Sequence, residues 1–193
     1  MRISGGRFRG RKLAPIHGKS IRPSAEKVRQ AMFDALTSRR QSDNLADLRV
    51  LDVFAGSGVL GFEALSRGAS FALFLDKDKN ALATIRHNAN ELELDKEPDK
   101  NFDLRHRDVT RLGKIPKSIK PFDLVFCDPP YSKGLGECAL ARLEAGGWLS
   151  ASATVVVEES SGATLTPPSS LEPYLQRRYG DTQLLWFILS PCA

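Results

Sequence analysis

Metal-binding and membrane-spanning features are what this chain has least of. Among its 193 residues there are three cysteines and three histidines. Cys127, Cys138 and Cys192 have no metal-like spacing, and an odd number cannot all pair within the chain, which suits a reducing cytosol. His17, His87 and His106 stand apart, so no metal site is expected. No apolar run approaches the length of a membrane helix, and the beginning of the chain is basic and polar, unlike a secretory signal. A cytoplasmic protein with no membrane partner is the expectation. Internal repeats are also missing. The length suits about one domain with a full hydrophobic core.

The formal net charge of +5 is unevenly placed. Residues 1–29 hold nine lysines or arginines and one acid, a net +8, while the remainder carries −3. A concentrated basic segment suits a polyanion, nucleic acid first; a solvated tail is the alternative. The segment is not low in complexity, because Ile3, Phe8, Leu13 and Ile16 are interleaved with Arg2, Arg7, Arg9 and Arg11. Alternation over Ile3–Phe8 and Lys12–Ile16 predicts a small hairpin with its arginines on one side, contacting RNA or DNA. Arg22 closes this arm and is counted with those contacts. The expected division is a basic arm over residues 1–22 and a catalytic domain over 23–193.

The stretch LDVFAGSGVLGFEAL, residues 51–65, organises the rest. Val50–Phe54 is apolar and rich in β-formers, and from Val59 the apolar residues recur at helical spacing. Between them, Ala55-Gly56-Ser57-Gly58 turns a strand directly into a helix, leaving free backbone N–H groups at the helix start. Gly56, Gly58 and Gly61 satisfy a dinucleotide fingerprint, with Asp76 about twenty residues beyond. Asp52 argues for a different ligand. A carboxylate beside the loop repels a pyrophosphate but suits a cationic amino-acid end without phosphate. S-adenosylmethionine has that end, and its ribose hydroxyls could bond Asp76. A capping or solvent-facing role is the plainer alternative for Asp52.

The remaining elements extend a sheet. An amphipathic helix is predicted after Ser24, a candidate cap, on Val28, Ala31, Met32, Ala35 and Leu36. Phe71–Leu75 reads as a buried parallel strand with Asp76 at its end. Lys79–Asn90 reads as a helix, Phe102–Arg105 as a strand, and Asp108 just beyond it as either an adenine contact or a capping aspartate. Pro121–Cys127 and Thr154–Val157 are further strands, with helix Leu135–Ala145 between them. Three prolines allow at most a helical turn over Thr166–Pro173. Leu175–Tyr179 and Thr182–Leu189 flank Gly180-Asp181 as a hairpin. The expected fold is α/β: a doubly wound, seven-stranded, mostly parallel, Rossmann-like sheet whose last strands are antiparallel.

Asp128-Pro129-Pro130-Tyr131 follows the fourth strand. The lone pair of an exocyclic base amine is delocalised and weakly nucleophilic. Two acceptors aimed at its two N–H bonds draw the nitrogen toward tetrahedral geometry and stabilise the charge that develops on methylation. Asp128 supplies one acceptor and the Pro129 carbonyl the other, with Tyr131 offering a flat face to an extruded or single-stranded base. A capped proline turn is the plainer alternative. Methylation at C5 of cytosine needs a cysteine nucleophile, and Cys127, inside the strand, should point to the opposite face and pack in the core.

These motifs together resemble the class I S-adenosylmethionine-dependent methyltransferases that act on amines. The chain is similar throughout to the bacterial 16S ribosomal RNA guanine-N2 methyltransferases of the small subunit. MRISGGRFRGRKL, RPSAEKVRQAMFDAL, LDVFAGSGVLGFEALSRGA, FLDKD, FDLVFCDPPY, VVVE and RRYGDTQLLWF carry the resemblance. It implies that Asp52, Phe54, Gly56 and Gly58 hold the methionine end of S-adenosyl-L-methionine, Asp76 the ribose and Asp108 the adenine. It implies that Asp128, Pro129 and Tyr131 hold the target amine and base, that the arm grips 16S rRNA of the small subunit or an assembly intermediate, and that no metal takes part. Asp76 departs from the family's more usual glutamate, a shorter acid that still reaches a ribose hydroxyl. A monomer is expected. A DNA adenine or cytosine amine methyltransferase would share DPPY but usually carries a large recognition region; a non-catalytic rRNA-binding assembly factor would share the fold alone.

Overall fold

The computed structural model describes residues 1–16, 23–40, 44–96, 101–130 and 134–190. The side chain of Ser24 lies outside the described residues, as do His17, Arg22, Tyr131 and Cys192. The elements run α1 (Pro23–Arg40), β1 (Arg49–Val53), α2 (Val59–Ser66), β2 (Phe71–Asp76), α3 (Lys79–Glu91), β3 (Phe102–His106), β4 (Phe122–Cys127), α4 (Leu135–Ala145), β5 (Leu149–Ser160), β6 (Leu171–Tyr179) and β7 (Thr182–Leu189). Short 3₁₀ turns lie at Leu94–Lys96 and Val109–Arg111.

The strands form one seven-stranded sheet in the order β3-β2-β1-β4-β5-β7-β6. Strands β1 to β5 pair in parallel, and β7 pairs antiparallel with both β5 and β6. The architecture is the doubly wound α/β sheet with an antiparallel end hairpin that the sequence predicts. Near-continuous apolar strands make this possible, because both faces of the parallel part are covered. On one face Val50, Phe74, Leu124 and Phe126 pack with Val28, Met32 and Phe33 of α1, Leu60 and Phe62 of α2, and Ile85 of α3. On the other, Leu51, Val53, Leu73 and Val125 pack with Ala139, Leu140 and Leu143 of α4. Each fully buried side chain of this size contributes about 1.5–3 kcal/mol.

Two strands run several residues beyond their predicted limits. β5 spans 12 residues. Its apolar centre was legible, but its first residues are partly exposed and lack a period; Leu149 is held by pairing with Phe122 across an irregularity in the β4 register. β6 begins at Leu171 and contains Pro173. A proline is tolerated there because β6 is the edge strand and its register slips between Pro173 and Leu175.

The basic arm is docked. Ile3 and Leu13 are buried in the same core as α1 and α2. A single antiparallel bridge joins Arg2 to Lys12, with the Ile3 N–H donating to the Arg11 carbonyl and the Leu13 N–H to that of Met1. The two longer alternating segments predicted from sequence do not pair along their length. Backbone donors that a hairpin would use go to α2 instead: the Ser4 N–H to Glu63, the Arg7 N–H to the Ser66 carbonyl and the Phe8 N–H to the Ser66 hydroxyl.

Candidate active site

Strand order reverses beside β1: β2 and β3 lie to one side of it, β4 and β5 to the other. A crevice outside the carboxyl ends of the strands at such a reversal is where open α/β sheets bind ligands. Asp76, Asp108 and Asp128 stand at that edge, with Asp52 buried just beneath it.

The loop between β1 and α2 turns through left-handed backbone at Phe54 (φ 58°), Gly56 (φ 59°) and Gly58 (φ 77°). For Phe54 this is an uncommon conformation, stored at a strand end in the manner of functional turns. At Gly58 a Cβ would stand 2.8 Å from the Phe62 ring and 3.1 Å from Ile85 and Phe74. The apolar core thus approaches the loop from below, and only glycine lets the loop sit this low. At Gly56 a Cβ would meet nothing closer than the Ile16 Cδ1 at 3.6 Å.

Two carboxylates brace this loop. Asp52 lies beneath it, 1 % exposed, and accepts the Gly61 N–H at 3.0 Å on Oδ2. Burial pushes its carboxyl up to about 8, with the nearby Asp76 charge adding to the rise against the Gly61 hydrogen bond. Asp76, at the end of β2 and partly exposed, accepts the Gly56 N–H at 2.8 Å on Oδ2 and the Asp78 N–H at 2.8 Å on Oδ1. It therefore sits between the glycine loop and the start of α3. Of the two, Asp76 is the carboxylate open to a cationic amino-acid end or a ribose at the loop's edge, whereas Asp52 supports the loop from beneath. Asp108 follows β3 and caps the 3₁₀ turn after it, its Oδ1 accepting the Thr110 N–H at 3.0 Å and the Thr110 hydroxyl at 2.7 Å. These bonds hold its carboxyl below the usual range. The capping role weighed for it is thus the observed one.

Asp128 and Pro129 stand on the other side of the crevice. Cys127 pairs with Val53 across the β1–β4 ladder, so Asp128 leaves the sheet beside Phe54. Asp128 is exposed and Pro129 buried. Cys127 is 1 % exposed among Leu51, Val53 and Val155, and burial pushes its thiol well above the usual range. Burial therefore disfavours a thiolate at Cys127, whose side chain packs in the core. A cavity of about 360 Å³ opens next to Pro129, lined by Gly134, Gly136, Glu137, Glu159, Ser160 and Leu165. Among the described residues no three His, Cys, Asp or Glu side chains converge to hold a metal ion, and no helix is long and apolar enough to cross a membrane.

Arg2, Arg7, Arg9 and Arg11 are all exposed, whereas Ile3 and Leu13 are buried. Arg2 donates to the Gly10 carbonyl at 2.8 Å, Arg11 to the Glu91 carbonyl, and Arg7 lies over the Phe8 ring. Two polar residues that sequence reasoning passed over matter most for where the arm sits. Glu63 is fully buried in the middle of α2, where it meets Ser4, Arg29 and Arg67. Asn88 is fully buried on the apolar stripe of α3, three residues after Ile85. A charged or amide side chain on an otherwise apolar helical stripe was the signal available for both.

Residues 1–188 match the family described as conserved hypothetical protein 95. The small-subunit ribosomal RNA methyltransferase D of Haemophilus influenzae is 34% identical over 171 residues, covering 88% of this chain and 84% of the relative. The enzyme of that name from Escherichia coli strain K12 is 34% identical over 158 residues, covering 82% of this chain and 74% of its own length. A solved structure of a putative methyltransferase from Escherichia coli superposes with a TM-score of 0.80 at 30% identity, covering 98% of both chains.

Proposed function

The chain belongs to the conserved hypothetical protein 95 family, and from that membership we propose that it transfers a methyl group from S-adenosylmethionine to the exocyclic N2 amine of a guanine in 16S rRNA of the small ribosomal subunit. The observation that carries this reading is the placement of Asp128-Pro129 at the end of β4, beside the glycine loop that follows β1. In this reading Phe54, Gly56 and Gly58 receive the methionine end, with Asp52 beneath them setting the loop's shape and field. Asp76 takes the ribose, and the crevice edge near Asp108 takes the adenine. The cofactor supplies an electrophilic methyl group. The Asp128 carboxylate and the Pro129 carbonyl hold the two N–H bonds of the target amine, so its lone pair faces that methyl. A C–N bond forms as the C–S bond breaks, and the surplus proton on nitrogen leaves through Asp128 to water. Tyr131 stacks on the base. The arm over residues 1–22 grips the RNA, with Arg22 and the four exposed arginines on its phosphates.

The test is transfer of a labelled methyl group to unmodified small subunits, naked 16S rRNA and duplex DNA, followed by nucleoside analysis. Label in N2-methylguanosine supports the reading, and the subunit-to-RNA ratio measures what assembled RNA contributes. Label on adenine or cytosine of DNA would replace it with the DNA-amine alternative. Cofactor and RNA binding without label would leave an assembly factor.

Two variants probe the binding groups. Asp76→Ala should weaken cofactor binding by roughly tenfold to a hundredfold, the range for a lost hydrogen bond to a charged group; titration calorimetry giving wild-type affinity would show that the ribose contact is misassigned. Replacing Arg7, Arg9 and Arg11 together should lower the slope of log affinity against log salt by roughly two units for single-stranded RNA. A slope equal to that of wild type would remove the arm from the RNA interface.

A further inference from the structure

The arm meets the glycine loop as well as α2. The Asn88 side chain joins them. Its Oδ1 accepts the Ala14 N–H at 2.8 Å, and its Nδ2 donates to the Ala14 carbonyl at 3.1 Å and the Ser57 carbonyl at 3.0 Å. Ala14 belongs to the arm; Ser57 lies between Gly56 and Gly58. Two further contacts run the same way. The Ser57 hydroxyl donates to the Met1 Sδ at 3.3 Å, and the Ile16 methyl reaches over Gly56. On its other side the loop is tied to Asp76 through the Gly56 N–H. The loop therefore carries its unusual backbone between two clamps, one from β2 and one from the arm.

We propose that Asn88 is a positioning residue that makes the arm and the glycine loop one unit, so that RNA on the arm and the methyl donor on the loop bind with positive coupling. The proposal rests on the RNA-arm reading above. Whichever ligand binds first orders both segments, and the second then has less ordering left to do. The effect must be reciprocal, because a coupling free energy belongs to both ligands equally. Asn88 acts through Ala14 and Ser57 in this proposal. Its fixed bonds to Ala14 and Ser57 carry the link.

The test uses the full chain, S-adenosylhomocysteine as a non-reactive probe of the donor site, and unmodified 16S rRNA. Wild type should bind the probe at least about fivefold more tightly when saturated with RNA, and bind RNA more tightly by the same factor when saturated with the probe, within the usual span of allosteric coupling. Asn88→Ala should bring the coupling factor close to one, whatever it does to either separate affinity. A stability role alone would lower the melting temperature without changing that factor. Should the variant fail to fold, amide hydrogen exchange in wild type decides. RNA alone should slow exchange at Gly58, and the probe alone should slow it at Ala14. Protection confined to each ligand's own segment would overturn the proposal, as would a wild-type coupling factor of one. If RNA is methylated yet uncoupled, this inference fails and the functional reading stands. If RNA is neither bound nor methylated, both fail.

Discussion

Asp128→Ala should lower methyl transfer by about 10²–10³-fold while leaving cofactor affinity unchanged. The magnitude is that of removing one preorganised group aimed at developing charge. The split follows from position. Asp128 is exposed at the end of β4, whereas the loop and Asp76, which would hold the cofactor, lie on β1 and β2. An interaction made with the amine only as positive charge develops lowers kcat and kcat/KM together. Asp128→Asn should fall between the two, since the amide oxygen still accepts but carries no charge. Single-turnover measurements with saturating RNA check this directly. Turnover within a few-fold of wild type in Asp128→Ala would remove Asp128 from the amine site. A parallel loss of cofactor affinity would instead make it part of the donor pocket.

How much of this site could be read beforehand depends on how local each determinant is. The glycine loop is a contiguous signal: a strand period ends, two glycines follow, and a helical period begins. Its limits were right to within a residue, with α2 starting at Val59. Asp76 and Asp128 were placed by the same logic, because a continuous apolar run fixes where a buried strand ends. The partner of Asp76 was another matter. That its Oδ2 would take the Gly56 N–H depends on β1 and β2 pairing Val53 with Leu75, a register no local pattern states. Asp52 similarly reads as a ligand residue in sequence, but the structure puts it under the loop, bonded to Gly61. Alternation along a strand gives the face of a residue; it does not give the helix that will cover that face. The arm was legible as basic and partly apolar. Its docking was not, because the residues that receive it, Glu63 and Ser66 on α2 and Asn88 on α3, are distant from it in sequence.

Glu63→Ala should cost about 3–5 kcal/mol of folding stability, the usual result of breaking a buried ion pair from one side. The carboxylate is fully buried and saturated. Its Oε2 accepts the Ser4 N–H and its Oε1 the Ser4 hydroxyl, both at 2.8 Å. The Arg67 Nε lies 2.9 Å from Oε1 and the Arg29 Nε 3.7 Å from Oε2. Arg29 is 6 % exposed, and burial already lowers its guanidinium below its ordinary range, with Glu63 the main force against that shift. Alanine would leave two largely buried cations facing each other and the Ser4 donors without a partner. At roughly 2–4 °C per kcal/mol for a chain of this size, the melting temperature should fall by about 10 °C. The damage should also be directional. Ser4 sits in the arm, Arg29 on α1 and Arg67 just past α2, so hydrogen exchange should rise first at Ile3 and Phe8 rather than in the sheet. Replacing the charges together, as Glu63→Leu with Arg29→Met, should recover part of the stability, since well-packed apolar groups can substitute for a buried ion pair. A loss under about 1 kcal/mol with the arm amides still protected would mean that buried Ile3 and Leu13, with the Ser66 and Asn88 bonds, hold the arm without Glu63. Contacts of that kind would fix the arm's position without the charges, leaving the cluster to set only its orientation over α2.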